Sequence, residues 1–187
     1  MNWNFERYRG SKIFLSPFRK DTAVLGLYTN WAQERDLLPF MNEAYPLSNG
    51  NQINQWTQNI SRVCGNNIFN IVEGASGNIV GICLLLPTTQ FSYELRIYID
   101  KNFRTNGYGR EAVHILCHIA FYELRAHKVF LHTHALNRSA LDCFKACGFV
   151  ECAVEHEAIF FSNSFYNIIH MELLEDAYVD NSDVLGG

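Results

Sequence analysis

The sequence predicts one α/β (α+β) domain built on a mixed, mostly antiparallel sheet of about seven strands with helices on both faces. Three observations predict it. Apolar runs bounded by turn residues recur at 68–73, 79–86 and 91–99 and close into a three-stranded antiparallel run. A loop, a helix over 107–124, a strand over 128–135 and a helix over 138–147 follow. A second hairpin, 150–161 and 165–174 around Ser162-Asn163-Ser164, ends the pattern. The 187 residues, 48% hydrophobic and 18% charged, suit one core over 10–175, with 176–187 as a polar, frayed tail.

Each element has its local reason. Residues 12–18 read as a first strand ended near Pro17, and Asp21 suits the N-cap of a helix through about Trp31. A looser stretch, 33–51, sets Pro39, Pro46 and Gly50 among Phe40 and Tyr45. Ile53, Trp56, Ile60 and Val63 then form a helical stripe in which Trp56 is a core residue. Gly74-Ala75-Ser76-Gly77-Asn78 joins the next two strands as a hairpin. In 91–99 the side chains alternate: Phe91, Tyr93, Leu95, Ile97 and Ile99 on one face, Glu94, Arg96 and Tyr98 on the other. One face packs and the other carries chemistry. There is no internal repeat or linker to divide the chain.

Between that strand and the long helix lies Arg104-Thr105-Asn106-Gly107-Tyr108-Gly109-Arg110. A helix N-terminus collects unpaired N–H groups and the positive end of the dipole, so an anion can bind there through main chain alone. Gly107 and Gly109 allow close approach and positive φ, and Arg104 and Arg110 add charge at the rim. The alternative is a glycine-containing turn with basic residues in solvent. Gly107-Tyr108-Gly109-Arg110-Glu111-Ala112 also fits the dinucleotide fingerprint G-x-G-x-x-A, but the next strand ends His132-Thr133-His134-Ala135-Leu136-Asn137 with no carboxylate to hold a ribose. Downstream, Asn137 suits an N-cap, Ala140, Phe144 and Cys147 share a helix face, and Gly148 suits the stop.

Composition excludes several classes. A net charge of −4 with no lysine-arginine run argues against nucleic acid and is compatible with a cationic amine. Six cysteines without a C-x-x-C pair read as reduced thiols. The first residues lack a signal-peptide pattern and the longest apolar run, 82–86, is too short for a bilayer, so cytoplasm and no membrane are expected. His114 and His118, and His132 and His134, have spacings zinc could use, yet no glutamate follows His114 as H-E-x-x-H requires; no metal is expected. Cys143 and Cys147 read as core thiols.

Taken together, Arg104-x-x-Gly107-x-Gly109 and Asn137-x-x-Ala140-x-x-x-Phe144-x-x-x-Gly148-Phe149 resemble the GNAT acyl-CoA N-acetyltransferase superfamily, in its ribosomal-protein-modifying and polyamine-acetylating branch. The resemblance runs over about 12–174. It implies acetyl-CoA as cosubstrate: backbone of Ile97, Tyr98 and Ile99 along pantetheine, Arg104, Asn106, Gly107, Tyr108, Gly109 and Arg110 around pyrophosphate, Asn137 on the pantetheine arm, and Phe144 in the second CoA-contacting helix. Asn137 could instead be only a cap. The segment after the first strand would shape the acceptor pocket.

The implied reaction is direct attack of a primary amine, from a peptide N-terminus, a polyamine or another small molecule, on the thioester in a ternary complex. An amine of pKa ~10.4 is neutral about once in ~2,500 molecules at pH 7, a penalty of roughly 4.6 kcal/mol, so something must take its proton. Glu94 is the candidate base or acceptor anchor; the competing reading is a salt bridge to Arg96 that blunts it. Where the family commonly has a tyrosine to protonate the leaving sulfur, this chain has Phe144. Tyr98, Tyr108 and Tyr166 are candidate replacements, and Cys143 lies about 100° away around the helix. The alternative function is a non-catalytic CoA-binding module. The C-terminal hairpin is where a homodimer contact is plausible.

Overall fold

A computed structural model describes residues 8–32 and 49–179. The stretch 33–48, most of the segment expected to shape the acceptor pocket, lies outside the described residues, as do 1–7 and 180–187. The strands are β1 (Ile13–Pro17), β2 (Ile68–Glu73), β3 (Ile79–Thr89), β4 (Ser92–Ile99), β5 (Lys128–His134), β6 (Val150–Phe161) and β7 (Ser164–Leu174). They form one sheet in the order β1-β2-β3-β4-β5-β7-β6. Every pairing is antiparallel except β4 with β5. The helices are α1 (Thr22–Ala32), α2 (Gly50–Cys64), α3 (Tyr108–His118) and α4 (Arg138–Ala146).

Helices cover both faces, which is why β2 and β3 carry runs of consecutive buried residues rather than an alternation. On one side α3 and α4 bring Val113, Leu116 and Phe144 against Leu15, Leu95 and Leu131. On the other, α1 and α2 bring Trp31, Ile53 and Trp56 against Ile68, Ile82, Leu84 and Tyr98. Each such fully buried side chain contributes about 1.5–3 kcal/mol. The caps are those the residue types favour: Asp21 Oδ1 accepts from Val24 N at 3.3 Å, and Asn49 Oδ1 from Gln52 N at 3.0 Å.

Several local expectations shift. Phe91 is not in the strand but in the turn before it, at φ 64° and 52% exposed. In α2, Val63 is 51% exposed and Cys64 takes the buried place, because the stripe follows 53, 57, 60, 64 with the 3.6-residue turn. The helix expected over 107–124 is α-helical only through His118 and then widens to a π turn, Ile119–Glu123, in which Leu124 N donates to Ile119 O. The start of the expected tail is held: Glu175–Ala177 form a 3₁₀ turn and Tyr178 stacks on Phe121 at 4.8 Å.

One topological feature makes the site. The parallel pairing of β4 with β5 covers Ser92↔Lys128, Tyr93↔Val129 and Glu94↔Phe130, and among the described residues it stops there. Past Glu94 the two strands part. A cleft of about 730 Å³ occupies the gap, lined by β4 from Glu94 to Ile99, by β5 from Leu131 to His134, and by α3 and α4.

Candidate active site

Of the residues expected to hold the cofactor or act as base, the cleft brings together all but Asn106: Glu94, Ile97, Tyr98, Ile99, Arg104, Gly107, Tyr108, Gly109, Arg110, Asn137 and Phe144 line it. Asn106 instead braces the loop. Its Nδ2 donates to Phe103 O at 3.2 Å, and its carbonyl accepts from Lys12 Nζ at 2.9 Å.

One end of the cleft is the turn into α3. Gly107 is the N-cap residue at φ 84°, with no side-chain cap bond at the helix start. Thr105 is also left-handed, at φ 67°, a conformation not foreseen for a β-branched residue. Successive turns of this kind fold backbone N–H groups into a concavity that suits an anion. Gly109 needs no positive φ; it lies in the first turn of α3, where a Cβ would meet Ile99 Cγ1 at an ordinary 3.7 Å. Arg104 is not a simple rim charge: its Nε donates to Ile99 O at 2.9 Å and its guanidinium lies 5.6 Å from the Tyr98 ring centre. Arg110 is exposed and reaches Ala146 O at 3.5 Å, spanning from α3 to the end of α4.

The middle of the cleft is formed by α4. Asn137 Oδ1 accepts from Ala140 N at 3.3 Å as a cap, while its Nδ2 faces Thr133 Oγ1 at 3.4 Å. The cap and the cleft wall are therefore the same side chain. Phe144 is buried against Phe149, and Cys143 also lines the cleft. A hydrogen bond with Cys147 holds the Cys143 thiol below its ordinary pKa. Behind it, the Cys147 sulfur lies 3.7 Å from His114 Nε2.

The far end is ionic. Arg96 clamps Glu94 with two hydrogen bonds, Nε to Oε1 at 2.8 Å and Nη2 to Oε2 at 2.9 Å, both side chains about nine-tenths buried. The salt bridge weighed from sequence is thus formed. The His132 ring nitrogen Nδ1 lies 3.4 Å from Glu94 Oε1. Burial holds the His132 pKa below its ordinary value, opposed by Glu94.

The three tyrosines considered as acids are placed apart. Tyr98 is 4% exposed and packs on Trp31 at 5.2 Å. Tyr108 gives its hydroxyl to the Glu73 carboxylate, which raises its pKa. Tyr166 sits opposite Ile159 in the β6–β7 hairpin, away from the cleft lining. Sequence reasoning missed Lys12, which meets the loop across 94 residues, and weighed His132 only as a zinc ligand. Neither carries a local signal, because each meets its partner only across separate elements of the fold.

A family profile described as Acetyltransferase (GNAT) domain matches residues 12–150. The spermidine N(1)-acetyltransferase of Vibrio cholerae is 27% identical over 115 residues, 60% of this chain and 66% of that protein, a little under two thirds of its length. Crystal structures of the Vibrio cholerae spermidine N-acetyltransferase SpeG share the fold. A mutant form of that enzyme superposes with a TM-score of 0.75 at 22% identity over 92% of this chain and 99% of that one. A complex of the enzyme with CoA and spermine gives 0.74 at 22% identity over 88% and 97%. A GNAT-family acetyltransferase from Bacillus anthracis gives 0.73 at 13% identity over 90% and 98%.

Proposed function

This chain belongs to the GNAT acetyltransferase family, and on that premise we propose that it moves the acetyl group of acetyl-CoA onto a primary amine, with polyamines of the spermidine type as acceptors. The observation that carries the reading is a single cleft. It runs from the main-chain N–H groups at Gly107, through the gap between β4 and β5, to the Glu94 carboxylate. A diphosphate fits the first end, an extended amide-bearing arm fits strand edges in the second, and a cationic amine fits the third.

The polyamine class is supported by the activity named for the Vibrio cholerae relative and by spermine in the complex of its enzyme with CoA. Glu94 supports it from within this chain. With Arg96 holding both oxygens, the carboxylate suits anchoring and orienting an acceptor more than taking its proton. Catalysis then rests chiefly on positioning, which can supply several kcal/mol. Phe144 offers no proton to the departing sulfur, and none is essential, since a thiol of pKa ~8.5 leaves readily.

Release of CoA thiol from acetyl-CoA, followed with spermidine, spermine, N-terminal peptides, amino sugars and aminoglycosides, tests the reading. Polyamine turnover with saturation is the expected result. Silence across the panel with tight CoA binding would assign the chain as a CoA-binding module instead.

A further inference from the structure

Four side chains from four strands stand in a row on one face of the sheet, leading away from the cleft. Glu94 of β4 faces His132 of β5 at 3.4 Å. His132 and His170 of β7 are direct partners in the strand register, their rings 5.7 Å apart. His170 Nε2 faces Glu155 Oε2 of β6 at 3.6 Å, and the Glu155 side chain is 59% exposed. We propose that His132, oriented by Glu94, accepts the proton of the incoming ammonium, and that His170 and Glu155 carry it to solvent. The assignment rests on the acetyl-transfer reading of the cleft.

The chemistry selects His132 over its neighbours. Both Glu94 oxygens already accept hydrogen bonds from Arg96, so that carboxylate is a poor base and a good orienter. The carboxylate 3.4 Å from Nδ1 favours the tautomer with the hydrogen on Nδ1, which leaves the lone pair on Nε2 to accept a proton. The ring lines the cleft and is 27% exposed, so a substrate can reach it. Burial, Arg96 and His170 lower its pKa, while Glu94 and Glu155 raise it; the balance keeps it neutral and able to accept near pH 7.

The protons balance. The ammonium gives one proton to Nε2 of His132, which frees the nitrogen electron pair. That pair forms the bond to the acyl carbon, and the carbon–sulfur bond breaks. The second proton of the nitrogen ends on the departing thiolate, so one proton per turnover leaves by the histidine row.

Steady-state kinetics with acetyl-CoA and spermidine across pH 5.5–9, alongside calorimetry of CoA binding, decide it. His132→Ala is expected to lower kcat about 10²-fold, with CoA affinity within about twofold of wild type. Added imidazole should restore the rate in proportion to its concentration, an effect that loss of a purely structural side chain does not show. His132→Gln, which keeps the volume and cannot accept the proton, should fold and show the same loss if the alanine variant does not fold. His170→Gln should slow turnover severalfold at unchanged spermidine KM. A kcat for both His132 variants within threefold of wild type, or a loss in His132→Ala that imidazole leaves untouched, overturns the base. An unchanged His170→Gln rate overturns the exit. Wild-type protein that binds CoA but acetylates no amine overturns this assignment and the proposed function together, whereas wild-type turnover with unimpaired His132 variants overturns this assignment alone.

Discussion

The indole Nε1 of Trp31 donates to Asp100 Oδ2 at 2.7 Å in the buried interior, so α1 is tied to the residue that follows β4 and precedes the loop over 104–110. Asp100 in turn accepts from Asn102 N at 2.9 Å, which starts the turn leading to Arg104. Helix α1 therefore bears on the shape of the end of the cleft proposed to take the diphosphate.

Trp31→Phe should keep most of the ring packing on Tyr28 and Tyr98 but leave Asp100 without its buried donor. The expected loss is about 2 kcal/mol, the cost of one unsatisfied buried acceptor. Urea denaturation checks it, and a parallel fall in CoA affinity would report the link to the loop.

Gly107→Ala tests the loop itself. A residue with a Cβ at φ 84° is strained by about 1–2 kcal/mol, and the new methyl would stand 3.3 Å from Lys12 Nζ. CoA binding measured by calorimetry should weaken by about tenfold if the strain is relieved by moving the loop. Unchanged affinity in a folded variant would count against this turn as the diphosphate site.

Gly10 gives room to a buried carboxylate. Glu111, in the first turn of α3, accepts from Lys12 N at 2.9 Å, and a Cβ on Gly10 would fall 1.7 Å from Glu111 Oε1. Gly10→Ala should destabilise by about 1–3 kcal/mol, as overpacking does. Equilibrium unfolding should show it without a change in the cooperativity of the transition.

Arg96→Met removes the clamp and strands the Glu94 charge at 8% exposure. Breaking a buried pair this way costs about 3–5 kcal/mol. Adding Glu94→Gln to the same chain should recover part of that loss, which a double-mutant cycle measures. No recovery would mean that packing of the Arg96 stem dominates.

Stability should fall in mild acid. Burial lowers the His114 pKa, with Arg110 acting the same way and Glu111 opposing, so the unfolded chain binds more protons than the folded one as pH drops below about 6.5. His132 acts with the same sign. The contribution is fully present above the unfolded value and is lost as pH falls toward the folded one. Urea midpoints between pH 8 and 5 should decline, and His114→Leu should flatten the slope.

Whatever is settled within a few residues could be read along the chain. The 2-residue and 3.6-residue periods of the apolar pattern placed the strands and helices. The caps at Asp21 and Asn137 and the positive φ at Gly107 follow from what those side chains can do to nearby backbone. These local rules also allowed the errors at Val63 and Phe91, each a matter of one residue at an element end, where period alone does not tell which neighbour turns inward.

Which distant residues meet was set by the folded sheet. Its strand order brings His132 against Glu94, and the packing of α3 and its preceding loop on the sheet brings Asn106 against Lys12 and Glu111 against Gly10, contacts between separate elements that no spacing along the chain encodes. Folding also commits the Glu94 oxygens to Arg96, turning a candidate base into an oriented partner. The reason is physical. Hydrogen bonds and charges act over a few ångströms of space, while a linear sequence specifies distance only along the backbone, so the parting of β4 from β5, and the cleft it opens, exists only once the sheet has closed.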